Sequence, residues 1–116
     1  MGAYSPSKAA LISLCQVLAQ EWACDGINVN TVSPGMIRTP STQKAYENNQ
    51  IAKERAALVP WGRVGNPEDI SNTISFLLSP EACYITGQNI LVDGGFVDSL
   101  YRHIPGLPDS SKIDKK

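Results

Sequence analysis

Tyr4 and Lys8 stand four residues apart in the run Tyr4-Ser5-Pro6-Ser7-Lys8. On a helix that spacing stacks a phenol and an ammonium one turn apart on the same face. A phenol ordinarily titrates near pH 10, and a cation beside it favours the phenolate. Such a pair could give a proton to a substrate carbonyl or take one from a hydroxyl. The same spacing is also common on solvated helix faces that do no chemistry, so the pair needs support from the rest of the chain. Other reactive groups offer little. Cys15, Cys24 and Cys83 form no Cys-x-x-Cys pattern and read as small buried or half-buried fillers. His103, the sole histidine, lies near the C-terminal end, so neither a Ser/His/Asp triad nor a metal-ligand cluster is expected.

The elements that must hold the pair alternate between helix and strand. Residues 5–24 carry Leu11, Leu14, Leu18 and Trp22 on one stripe, tolerate Pro6 in the first turn, and stop at Asp25-Gly26. Residues 27–32 read as a short strand that Ser33-Pro34-Gly35 breaks. A polar stretch over 41–58, apolar only at Tyr46, Ile51 and Leu58, is expected to be a helical excursion over the surface. Residues 60–65 form a loop. A helix then starts with Asn66 as N-cap, Pro67 at the first position and Asp69 in the first turn, with Ile70, Ile74 and Leu77 facing a core. Pro80 ends it, Thr86-Gly87 turns the chain, and residues 89–92 form a strand running into Asp93-Gly94-Gly95. This alternation is an α/β pattern. Residues 1–97 are expected to form one domain part, and 98–116 a surface-draped or disordered tail.

Composition sets bounds without naming a job. The 116 residues, 42% hydrophobic, suit one domain, and the net charge of −1 offers no broad basic field for nucleic acid or an anionic membrane. Met1-Gly2-Ala3-Tyr4 has neither the basic nor the apolar region of a signal peptide, and no run approaches a membrane span, so a cytoplasmic location is expected.

Four segments, in this order, resemble the short-chain dehydrogenase/reductase family. They are Tyr4-Ser5-Pro6-Ser7-Lys8, Asn28 through Thr39, Gly62 through Ile70, and Tyr84 through Gly95. The resemblance covers about residues 2–97 and implies the C-terminal half of a Rossmann-like doubly wound parallel sheet, here about two strands plus helices. It implies an NAD(P)-dependent oxidoreductase interconverting an alcohol and a carbonyl, similar to 3-oxoacyl-carrier-protein reductases or sugar and polyol dehydrogenases. Tyr4 would be the catalytic acid/base, and Lys8 would bond the nicotinamide ribose hydroxyls; both are therefore cofactor-contacting as well as catalytic. Pro34, Gly35, Ile37 and Thr39 would complete the cofactor contacts, Gly35 by close backbone approach, Ile37 by main-chain groups and Thr39 by its hydroxyl. No metal is implied. Asn30 would fix neighbouring loops, the segments around Gly62–Asp69 and Asp93–Gly95 would be structural, and Met36, Tyr46 and Trp61 could line the substrate side or equally be filler.

A complete family member also has a glycine-rich pyrophosphate turn, an Asn-Ala-Gly segment and a catalytic serine, none of which this sequence shows ahead of Tyr4. The chain is therefore expected to be a fragment, inactive alone, from a truncated gene product or a partial gene model. The family form is expected to be a homo-oligomer acting on a small-molecule alcohol or carbonyl. The alternative is a non-catalytic remnant acting through subunit association. Substrate identity and the choice between NAD and NADP stay open.

Overall fold

A computed structural model describes residues 2–99, so the expected tail falls almost wholly outside the described residues. The element order is α1 (Tyr4–Trp22), β1 (Thr31–Pro34), α2 (Gln43–Glu47), α3 (Asn49–Leu58), α4 (Pro67–Leu77) and β2 (Asn89–Val92), with short 3₁₀ turns at Ala23–Asp25 and Pro80–Ala82. The chain forms two compact units, one from residues 2–34 and 67–92, the other from 35–66 and the described residues beyond 92.

The first unit is built on a two-stranded parallel sheet. β1 pairs with β2 in the register Thr31↔Asn89 to Pro34↔Val92. Parallel neighbours require a crossover, and α4, which lies between them in sequence, packs against both strands. Polar side chains lock the register: Asn89 Oδ1 accepts from the hydroxyls of Thr31 at 3.0 Å and Ser33 at 2.7 Å. Pro34 is the last residue of β1, where a missing N–H costs the ladder little.

The strand starts later than the sequence pattern suggests. Residues 27–30 were expected to be strand, but apart from one backbone bond, Gly87 N–H to Val29 O at 2.8 Å, they are tied to residues 83–88 by side chains. Asn28 Nδ2 donates to the carbonyl of Cys83 at 3.0 Å, and Asn30 Nδ2 donates to that of Ile85 at 2.7 Å. Asn30 Oδ1 accepts from Gln88 N–H at 3.0 Å, and Thr86 Oγ1 accepts from Val29 N–H at 3.0 Å. Regular pairing begins only at Thr31, whose N–H donates to Gln88 at 2.9 Å. Asparagine amides thus took over the groups that a strand would have used.

α1 ends as its sequence implies. Gly26 adopts φ +75°, its N–H donates to Ala23 O, and Ile27 N–H reaches back to Trp22 O at 3.2 Å. Its inward face is rotated from the expected stripe, however. Ala19 is fully buried, flanked by half-buried Ile12, Cys15 and Leu18, whereas Leu11, Leu14 and Trp22 are exposed. The cause is close approach: a Cβ on Gly87 would lie 3.4 Å from Ala19 Cβ, so small residues face this part of the chain. In α4, Pro67 stands first and Glu68 and Asp69 complement the helix dipole. Ile70 and Leu77 turn inward with Thr73, while Ile74 is exposed, contrary to the expected stripe.

In the second unit the polar excursion is helical as expected, but broken in two. Asn48 is extended and its side chain caps α3, accepting from the N–H groups of Gln50 at 2.9 Å and Ile51 at 3.3 Å. Tyr46 and Val59 are buried. Asp93 shapes the exit from β2, its carboxylate accepting from Gly95 N–H at 2.9 Å and Val97 N–H at 2.8 Å. The cysteines depart from expectation: Cys15 is half-buried, but Cys24 and Cys83 are exposed. No helix of the described residues is long and apolar enough to cross a membrane.

Replacing Asn30 with Ala leaves the Ile85 carbonyl and the Gln88 amide without their side-chain partner. It should destabilise the chain by about 1–3 kcal/mol, read as a shift in urea midpoint. Gln20→Ala, which removes an exposed bond within α1, should change stability by less than about 0.5 kcal/mol.

Candidate functional site

The helix that begins at Tyr4 carries two of the expected site residues, Tyr4 and Lys8. Ala3 precedes it without a side-chain cap, Ser7 N–H donates to Ala3 O at 3.1 Å, and Ser7 Oγ donates to Tyr4 O at 2.7 Å. Tyr4 is therefore the first helical residue and Lys8 stands one turn further on. The Lys8 ammonium lies 5.4 Å from the Tyr4 ring centroid, within cation–π range. Tyr4 is 64% exposed, so its phenol is open to a ligand. The pair that the sequence placed on one helix face is thus in contact. At that surface the phenol can exchange a proton, and the ammonium can donate hydrogen bonds and carry positive charge.

Pro34 closes β1 at its carboxyl end, the end of a parallel strand where open α/β sheets bind ligands. The chain then enters the second unit. Gly35 is there for space: a Cβ would lie 2.6 Å from Asp93 Cβ and 2.7 Å from Asp93 Cα. Beyond it the backbone is held against Gly65, through a parallel bridge at Ile37 and the bonds Gly65 N–H to Met36 O at 2.9 Å and Arg38 N–H to Gly65 O at 2.8 Å. Gly65 thus serves as a brace for residues 36–38.

Thr42 organises the turn that follows, and sequence reasoning missed it. Its hydroxyl accepts from Thr39 N–H at 2.8 Å and donates to Ile37 O at 3.0 Å, and lies 3.1 Å from the Thr39 hydroxyl. Ser41 Oγ is 2.9 Å from the same Thr39 hydroxyl. The signal was the clustered Thr39-Pro40-Ser41-Thr42, whose short hydroxyl side chains favour turns that bond their own backbone. Ile37 and Thr39 therefore sit in a loop stiffened by hydroxyls. Of the three residues with open roles, Tyr46 is buried, Met36 is half-buried and Trp61 is 74% exposed. No group of three or more metal-ligating side chains occurs among the described residues.

A family model described as enoyl-(acyl carrier protein) reductase matches residues 1–97. The chain belongs to the short-chain dehydrogenase/reductase family. It is 46% identical over 94 residues to the NAD-dependent glycerol dehydrogenase of Listeria innocua, covering 81% of this chain and 37% of that protein. Its fold matches a short-chain type dehydrogenase/reductase from Mycobacterium ulcerans with a TM-score of 0.75 and 39% identity, over 82% of this chain and 34% of the other. It also matches 4-hydroxyisoleucine dehydrogenase complexed with NADH, with a TM-score of 0.78 and 37% identity, over 84% and 40%. The chain thus spans two fifths or less of these relatives. Its α/β fold, with two parallel strands, is the corresponding part of their Rossmann-like domain.

Gly35→Ala should displace the loop or Asp93 and cost about 1–3 kcal/mol as an overpacking change. The check is thermal or urea denaturation beside Gly2→Ala, where a Cβ meets nothing within 4 Å and no comparable loss is expected.

Proposed function

We propose that residues 2–97 supply the acid/base and part of the nicotinamide-contacting surface of an NAD(P)-dependent oxidoreductase that interconverts an alcohol and a carbonyl. The observation that carries this is the Lys8 ammonium set against an exposed Tyr4 at the start of α1. It gains weight from the family match and from the relative that is crystallised with NADH.

The local chemistry suits such a cofactor. A glycine that leaves no room for a side chain and a loop of threonine and serine hydroxyls offer groups able to approach and hydrogen-bond a ribose or carboxamide. Lys8 would hold the nicotinamide ribose. Pro34 and Gly35 would shape the approach, and Ile37 and Thr39 would bond the carboxamide side. When bound, the nicotinamide exchanges a hydride with the substrate carbon. Tyr4 gives its phenolic proton to the substrate oxygen during reduction and takes one back during oxidation. Lys8 steadies negative charge at that phenol and orients it.

The exposed apolar side chains also favour a role for association. Leu11, Leu14, Val17 and Trp22 on α1, with Phe76 and Leu78 at the end of α4, are open among the described residues. Uncovered apolar side chains in this number support the view that the chain works within a larger folded assembly and turns nothing over alone. In a second reading, association is its whole role.

A segment exchange separates the two. Residues 2–97 placed in the matching stretch of the Listeria glycerol dehydrogenase should give a protein that oxidises NADH when a carbonyl substrate is present. Tyr4→Phe in that protein should lower kcat about 10²–10⁴-fold. A folded, NADH-binding exchange protein whose kcat is the same with Phe at position 4 would refute the catalytic role.

A further inference from the structure

The second unit contains an arrangement that the acid/base chemistry does not use. Tyr46 is 6% exposed, and two guanidinium groups lie over its ring, Arg38 at 5.3 Å and Arg55 at 5.1 Å from the centroid. The two cations can be no further apart than the sum of those distances. Each is attracted to the ring face, yet they repel each other, so the ring holds two like charges close together. Among the described residues no carboxylate pairs with either guanidinium; Glu54, next to Arg55 in sequence, accepts from Gln50 at 2.8 Å.

The described residues of the second unit carry a small positive excess, Arg38, Lys44, Lys53, Arg55 and Arg63 against Glu47, Glu54, Asp93 and Asp98. The backbones that carry the two arginines are anchored: Arg38 N–H donates to Gly65 O, Arg55 is in α3, and Tyr46 is buried. A guanidinium presents a planar fork that matches a carboxylate or phosphate.

The geometry points to an oxyanion-binding site at Arg38 and Arg55 on the Tyr46 ring, for a carboxylate or phosphate group of the bound small molecule. Resting on the dehydrogenase reading above, this assigns the ligand an anionic end bound by Arg38 of the loop that follows β1 and Arg55 of α3. The oxyanion belongs either to the substrate or to a phosphate of the dinucleotide.

The test is an NMR titration of the 116-residue chain that follows the Nε–H signals of its four arginines, Arg38, Arg55, Arg63 and Arg102. Inorganic phosphate and malonate should move Arg38 and Arg55 saturably, leave Arg63 and Arg102 in place, and act well beyond sodium chloride at equal ionic strength. Arg38→Gln and Arg55→Gln should each weaken binding about tenfold or more, and Arg38→Lys and Arg55→Lys, which keep the charge, should recover part of it. Shifts shared by all four arginines, or reproduced by chloride, overturn the site, and that comparison needs no variant to fold. Preference for 2′-AMP over malonate assigns the oxyanion to the dinucleotide, and the reverse assigns it to the substrate. Saturable phosphate binding here, together with an exchange protein whose kcat does not respond to Tyr4→Phe, would keep the site while removing the dehydrogenase reading.

Discussion

Two asparagine amides determine how this chain holds β1. Asn28 and Asn30 lie just before β1 and bond backbone groups more than fifty residues later, at Cys83, Ile85 and Gln88. Each bond is worth only about 1 kcal/mol net. The constraint is one of position. With the loop before β2 fastened to the residues before β1, Thr31 can pair only opposite Asn89, and Pro34 then marks the end of the ladder. The loop that would meet a nicotinamide begins at the next residue.

Chemistry and rigidity are divided between elements. α1 offers an exposed phenol with a cation one turn away, a contact that needs only helix geometry. The loop from Gly35 to Thr42 is stiffened by local means: a glycine forced by Asp93, a brace at Gly65, and Thr42 bonded to both Ile37 and Thr39. A loop so tied could present main-chain and hydroxyl groups to a ligand with little reorganisation, which is what electrostatic preorganisation requires. The apolar side chains on α1 and α4 remain open, so packing in the described residues rests on few buried groups, Ala19, Tyr46, Val59 and Ala82.

The sequence was most legible where a signal is local. The Tyr4/Lys8 contact follows from helical spacing, the end of α1 from a glycine in the left-handed region, and the start of α4 from a proline in its first position. It was least legible where partners come from far along the chain. Asn30 was expected to fix neighbouring loops and does so at Ile85 and Gln88, but Asn28 looked like a strand residue because alternation cannot show that its amide will be spent on Cys83. The stripe of α1 was misplaced because large apolar residues mark burial only if something covers them, and the close approach of Gly87 selects Ala19 instead. Thr42 and the paired arginines on Tyr46 had no fixed motif, since their meaning lies in distances the sequence does not contain.

The central claim is that Tyr4 and Lys8 act as one catalytic unit. A double-mutant cycle on kcat, in the exchange protein carrying residues 2–97, tests it most directly. If the pair is one unit, Tyr4→Phe combined with Lys8→Met loses no more than the worse single change, because groups that act together are not additive. Losses that multiply would show independent effects and contradict the account.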